Sequence, residues 1–381
     1  MNKEKTREFQ RFGEVPAAKP LFAELAEGYQ KTGKDKFLRD VEFEVVRAGM
    51  RPTPLYHARR LSDHLGGARI FLKREDTSRA DAHLGIASVG QAQLARTLGR
   101  KRMLAGPRNI KWALAMVSAA ARFGLESRVF LDKDEMERNA ALTYQIKLMG
   151  GQVNAVTKRL LRGGDLREAA LDDWLKTPKD SFLFMGLDSG PAPYPDLARD
   201  LTMLIGRECA RQLKSQIATP PVLVARGGQN ADTLGLFPAF LDDAKARLVS
   251  VEPADPDALF KAASASDKHV RQPSAQERQE QARAQMIMEG QEYPSVTREQ
   301  QWLKSSGRIE SFKARTPDAL KAGRLLASME GITCALNTSH ALAWVVENAP
   351  KLKADQGIVL MFAERADKDI WDIARLEGAK T

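Results

Sequence analysis

The feature that most constrains the fold is a regular alternation of short apolar runs with longer helical patterns. "ARIFLK", "KRMLAG", "SRVFL", "GQVNAV", "SFLFMG", "PVLVARGG", "ARLVSVEP" and "GIVLMFA" are brief and rich in Val, Leu, Ile and Phe, as strands buried on both faces are. Among them "GQAQLARTLG", "WALAMVSAAARFG", "TYQIKLMGG", "DLARDLTMLIGRECARQLKSQ" and "SHALAWVVENAPKLK" repeat apolar residues at helical spacing. Strands separated by helices are the signature of a parallel sheet with crossover connections, so the sequence predicts a doubly wound α/β protein. Pro256 to Glu292 departs from the pattern, being rich in Ala, Ser, Gln, Arg and Glu, and predicts a helical or mobile insertion.

A chain of 381 residues is long enough for two domains, and 43% hydrophobic with 28% charged residues is an ordinary globular balance. The N-terminal "MNKEKTREFQRFG" has charge but no apolar core, and no later run has the length of a membrane span. The expected location is the cytoplasm, with no membrane contact. Cys209 and Cys334 give neither a disulfide framework nor a zinc pattern, so both are expected as buried small hydrophobes and no metal is expected. The net charge of +10 raises nucleic acid as a partner, but the basic residues are interleaved with acids and no zinc-finger spacing or aromatic-rich basic strand accompanies them. A solvated basic surface or an acidic protein partner remains.

Four short stretches stand where chemistry is placed in α/β proteins. "DAHLGIASVGQ" (Asp81 to Gln91) opens a helix directly after the strand "RIFLKRED". "ARGGQNAD" (Ala225 to Asp232) follows a strand, and its paired glycines suit either a phosphate nest or a plain turn. "GLDSGPAPYP" (Gly186 to Pro195) is a stiff Gly/Pro loop, and "NTSHALA" offers Asn337 or Thr338 as a helix cap with His340 packed behind it.

Taken in order with "RPTPLYHARRLSDHLGGARIFLKRED", "VGQAQLA", "MERN", "KLMGG", "GPAPYP", "GGQNA", "SVEP", "YPSV", "EGITCALNTSHALA" and "RADKD", these stretches resemble the β subunit of tryptophan synthase along nearly the whole chain. The N-terminal "FGEVPAAKPLFAELAEGYQK" belongs to the same pattern. The resemblance implies the type II pyridoxal phosphate (PLP) fold with two doubly wound three-layer domains. One would comprise residues 1–50 and 80–200, including a mobile communication subdomain at about 100–187, and the other residues 51–79 and 201–381. It also implies a dimer able to dock an α subunit.

Where that family has the lysine that forms the Schiff base with PLP, this chain has Leu84, which follows Ala82 and His83. A hydrocarbon cannot make an imine. The acid–base glutamate is matched by Gly106, and the loop for the substrate carboxylate by "GPRNIKWA", with Arg108, Asn109, Ile110, Lys111 and Trp112. Ala363 stands for the serine at the ring nitrogen, with Glu364 and Ala366 for glycines, Asn337 for the ring-side glutamate and Leu187 for a threonine. Arg226 replaces the first glycine of the phosphate turn, ahead of Gly227, Gly228, Gln229 and Asn230.

Acid–base groups are each worth roughly 10²–10⁴ in rate, and losing several of them with the nucleophile removes a mechanism. The comparison therefore predicts a catalytically inactive, PLP-free pseudoenzyme with no cofactor, which acts as partner or regulatory subunit of an active β-like or α-like chain. The alternative is a repurposed PLP-independent enzyme or a binder of small anions or indole derivatives. Its pocket would hold His83, Arg108, Asn109, Lys111 and Leu187 with Arg226 to Asn230, and Arg108, Lys111 and Arg226 would supply the positive charge. A third reading keeps PLP noncovalently on Gly227, Gly228 and Asn230.

Overall fold

The structure is a computed structural model that describes residues 18–78, 82–107, 110–157, 166–185, 192–227, 235–254, 303, 305–368 and 370–378. The Pro256 to Glu292 segment lies outside them. In chain order, helices α1 (Lys19–Lys31) and α2 (Lys34–Arg47) lead to β1 (Leu55–His57), α3 (Arg59–Leu65), β2 (Arg69–Arg74) and α4 (Ala82–Thr97). Then come β3 (Arg102–Ala105), α5 (Ile110–Arg122), β4 (Glu126–Asp132), α6 (Lys133–Arg138), α7 (Ala140–Leu148), β5 (Gln152–Val156), α8 (Leu166–Lys176) and β6 (Ser181–Leu183). Helix α9 (Tyr194–Leu213) precedes β7 (Val222–Arg226), β8 (Arg247–Pro253), β9 (Glu310–Ala314), α10 (Thr316–Glu330), α11 (Leu336–Asn348), β10 (Gly357–Phe362) and α12 (Ile370–Leu376).

The chain divides into two compact units, residues 1–51, 83–201 and 287–296, and residues 52–82, 202–286 and 297–381. The first holds a four-stranded sheet in the order β5-β4-β3-β6, parallel throughout. Its strands bury Met103, Leu104, Val129, Leu131 and Phe182, and helix α5 turns a buried face of Ala113, Met116, Val117 and Ala120. Each such Leu, Val or Met removed from water contributes about 1.5–3 kcal/mol.

The second unit holds a six-stranded sheet in the order β1-β2-β10-β7-β8-β9, in which only β1 runs antiparallel to its neighbour. Central β10 is buried at all six positions, the pattern of a strand covered on both faces. Ile70, Leu72, Val222, Val224, Val249, Val251, Ile358, Leu360 and Phe362 form one core with Trp344 and Val345 of α11. All eight expected strands are present. The two unexpected ones lie at the sheet edges: β1 has three residues, and β9, "ESFKA", is mostly exposed. Edge strands carry weak apolar signals because one face and one rim meet water.

The parallel strands place Arg74, Arg226, Pro253 and Phe362 at their C-terminal ends, the edge where open α/β sheets receive ligands. One polar cluster is sealed into this unit. Lys73 of β2 is fully buried, donates to the Thr53 carbonyl at 2.9 Å, to Gln212 Oε1 at 3.0 Å and to Glu208, and lies 3.6 Å from Glu75. Thr53 in turn donates to Glu75 at 2.5 Å and through its backbone N–H to Glu208 at 3.0 Å. A buried ammonium persists only with such compensation.

Both cysteines are buried and free, and burial pushes the Cys209 thiol up to about 12. No helix among the described residues is long and apolar enough to cross a membrane.

Candidate active site

The first unit carries the residues matched to the nucleophile, the acid–base group and the carboxylate loop. Leu84 is the third residue of α4 and is 1% exposed, and the six residues that follow it, Gly85 to Gly90, are buried as well. Position 84 is therefore filled by a buried hydrocarbon side chain. His83 lies in the same first turn.

Gly106 follows β3, and a Cβ there would stand 1.9 Å from the Leu166 carbonyl oxygen and 2.5 Å from the Arg167 nitrogen. Both are backbone atoms, which cannot swing away, so the start of α8 fixes glycine at 106. A glutamate cannot be placed there without moving that helix.

The start of α5 is met by a carboxylate of the chain itself. Ile110, the first residue of α5, is buried and its backbone N–H donates to Glu135 Oε1 at 2.7 Å. A free helix N-terminus attracts an external anion because its first N–H groups lack partners. Here Glu135 of α6 takes one of those donors. Lys111 follows as the second residue of α5 and is half-buried. Sequence reading had no signal for Glu135, because nothing local links "KDEMER" to a helix start 25 residues earlier.

The second unit gathers a different set. Arg226 ends β7, Gly227 follows it, Ala363 follows β10 and is buried, and Asn337 is in the first turn of α11. Arg226 Nη1 lies 3.6 Å from Glu364 Oε1, and Asn337 Nδ2 donates to Glu364 Oε2 at 3.3 Å. Glu364, in place of a glycine of the resembled family, thus joins the ends of β7 and β10 to the start of α11. A Cβ on Gly227 would meet Glu252 Cγ at 2.4 Å and Ser250 Oγ at 2.7 Å, so any larger residue there would have to displace both side chains.

The expected cap of α11 is corrected: its N-cap is Ala335, with no side-chain cap, because the helix already begins at Leu336 and places Asn337 and Thr338 inside its first turn. His340 is fully buried, with Nδ1 2.8 Å from the Leu336 carbonyl and Nε2 3.3 Å from Thr316 Oγ1, which accounts for it structurally. Arg108, Asn109, Leu187, Gly228, Gln229 and Asn230 lie outside the described residues.

The "Pyridoxal-phosphate dependent enzyme" family model matches residues 46–364. The chain is 34% identical to the tryptophan synthase beta chain of Stenotrophomonas maltophilia, over 97% of this chain and 95% of that one. Among solved structures it resembles the processed form of threonine deaminase isoform 2 from Solanum lycopersicum, with TM-score 0.60 and 17% identity, covering 91% of this chain and 93% of that one. It also resembles a fungal L-serine ammonia-lyase from Rhizomucor miehei, with TM-score 0.57 and 18% identity, covering 85% and 98%. The last two establish the fold, a type II PLP architecture.

These findings overturn the expectation that the chain has no cofactor. The family is defined by PLP and the chain matches it along most of its length, so PLP is the expected cofactor. The described residues fit a phosphate in one respect: Arg226 brings a guanidinium to the ligand-receiving end of β7, while the Gly227 N–H is already given to the Val251 carbonyl at 2.6 Å. Neither Leu84 nor Lys73 supplies a covalent anchor: the first has no amine, and the second is buried and engaged by Glu208, Gln212 and Thr53. By family model and by identity along its length, the chain belongs to the pyridoxal-phosphate-dependent enzymes, as a tryptophan synthase β-like member.

Proposed function

We propose that this protein is a tryptophan synthase β-like subunit that does not join serine to indole by itself and that serves as the partner of an active β-like or α-like chain in the cytoplasm. The observation that carries the reading is the buried Leu84 at the start of α4, where the mechanism of the resembled family requires an amine. Gly106 supports it, because the Leu166 backbone leaves no room for an acid–base side chain. So does Glu135, whose carboxylate takes a donor at the start of α5 that a substrate carboxylate would otherwise approach.

PLP, when bound, supplies an electron-withdrawing ring. Arg226 would meet its phosphate, and Asn337 would stand on the ring side. Leu84 excludes water from the start of α4 and can neither give nor take a proton. A partner that binds one conformation of a β-like chain preferentially shifts its population, so a subunit without turnover can still set the rate of an active one.

Co-expression with a lysine-bearing β-like chain from the same genome tests the proposal. Co-elution on size exclusion, with a changed serine-plus-indole rate of that chain, is the expected result. Separate elution with an unchanged rate removes the proposal, as does turnover of serine plus indole by this chain alone.

A further inference from the structure

We propose that Glu364 is an internal competitor for the phosphate seat at the end of β7, so that a phosphate monoester binds there by taking Arg226 away from this carboxylate. The inference rests on the PLP-family assignment and not on the partner-subunit role.

The argument begins with charge and topology. Neighbouring strands β10, β7 and β8 end together, and among the described residues within two positions of those ends lie one guanidinium, Arg226, and two carboxylates, Glu364 and Glu252. Glu364 is held from two directions, with Arg226 Nη1 3.6 Å from one oxygen and Asn337 Nδ2 3.3 Å from the other. Its side chain is only 18% exposed and that of Arg226 is 26% exposed, so the pair is partly withdrawn from water. Glu252 comes close to Gly227 on the other side, with Cγ 2.4 Å from where a Cβ would stand.

A phosphate dianion entering this edge gains from a guanidinium and loses from each carboxylate. Paired guanidinium–phosphate contacts are among the stronger charge-assisted bonds, and the 3.6 Å separation shows a looser pair than a close ion pair of about 2.8 Å. The phosphate therefore takes Arg226 from a loose partner, and Glu364, whose charge stays beside the seat, lowers its affinity. Asn337 steadies the released carboxylate, since its amide does not depend on Arg226.

The test is equilibrium binding of PLP, pyridoxal and inorganic phosphate, read by calorimetry, to the full chain and to E364Q, R226Q and the double variant. E364Q keeps the shape and an acceptor for Asn337 while removing the charge. It is expected to bind PLP about five- to tenfold more tightly and inorganic phosphate in the same direction, with pyridoxal unchanged. R226Q is expected to weaken PLP, and the double variant to lose the gain of E364Q. PLP affinity in E364Q within twofold of the parent overturns the proposal, as does an equal gain for pyridoxal or no phosphate binding by any of the four proteins. Circular dichroism of each variant confirms that affinities are compared between folded chains, and E364D, which keeps the charge, is expected to bind PLP like the parent. Failure of the subunit-assembly test leaves this outcome untouched.

Discussion

Ile110 donates its backbone N–H to Glu135 at 2.7 Å, so helix α5 starts against a carboxylate from the next helix but one strand. The carboxylate satisfies a donor and sits at the positive end of the helix dipole. E135A is expected to cost about 1 kcal/mol, and E135Q less, because the amide oxygen still accepts. Urea unfolding of the three proteins measures the order; E135A equal to the parent contradicts it.

Restoring the two most conspicuous catalytic side chains should not restore catalysis. L84K puts an ammonium at a position 1% exposed, and G106E drives a Cβ to within 1.9 Å of a backbone oxygen. G106A alone is expected to lower stability by about 1–3 kcal/mol, and G106E by more. The double variant L84K/G106E is expected to show no serine-plus-indole turnover. An assay of tryptophan formation checks it, and turnover near that of an active β chain would show the backbone at 106 to be far more yielding than its packing implies.

The Lys73 cluster gives a sharper stability test. E208A leaves the fully buried ammonium with the Thr53 carbonyl, Gln212 and the more distant Glu75, and is expected to cost about 3–5 kcal/mol. Removing the cation as well, in K73M/E208L, should recover part of that loss, because two desolvated charges leave together. Thermal melts of the single and double variants decide it; a double variant worse than the sum of its parts would reverse the argument.

His57 makes stability depend on pH. Its ring stacks on Phe71 with centroids 4.7 Å apart, and burial, then the Arg59 and Arg69 cations, hold its pKa below the ordinary value. Between the folded pKa and about 6.5 the unfolded chain binds more protons, so the stabilisation is present above about pH 6.5 and is lost as pH falls. Replacing the ring with H57Q should flatten that part of the profile. Melting temperatures of parent and variant at several pH values below about 7 measure it, and parallel curves would exclude His57 as the source.

The alternation of apolar runs and amphipathic segments determined the fold class by itself, because a strand covered on both faces must be apolar throughout, as β10 is. The departure at 84 was equally legible, since an amine is either present or not. Cofactor loss did not follow from it: a missing tether speaks to covalent chemistry and is silent on the noncovalent contacts that hold a phosphate. The edge strands β1 and β9 were missed because pairing on one rim only needs little apolar content.

What only the tertiary structure decided is which side chains meet. Arg226 read as positive charge open to an anion, yet it faces Glu364, 138 positions away by the difference of their numbers. Asn337 read as a cap and instead holds the same carboxylate, while glycine at 106 is fixed by the backbone of Leu166. Such pairings depend on where parallel strands end and how helices return between them, and Coulomb's law acts on distance in space, which spacing along the chain does not reveal.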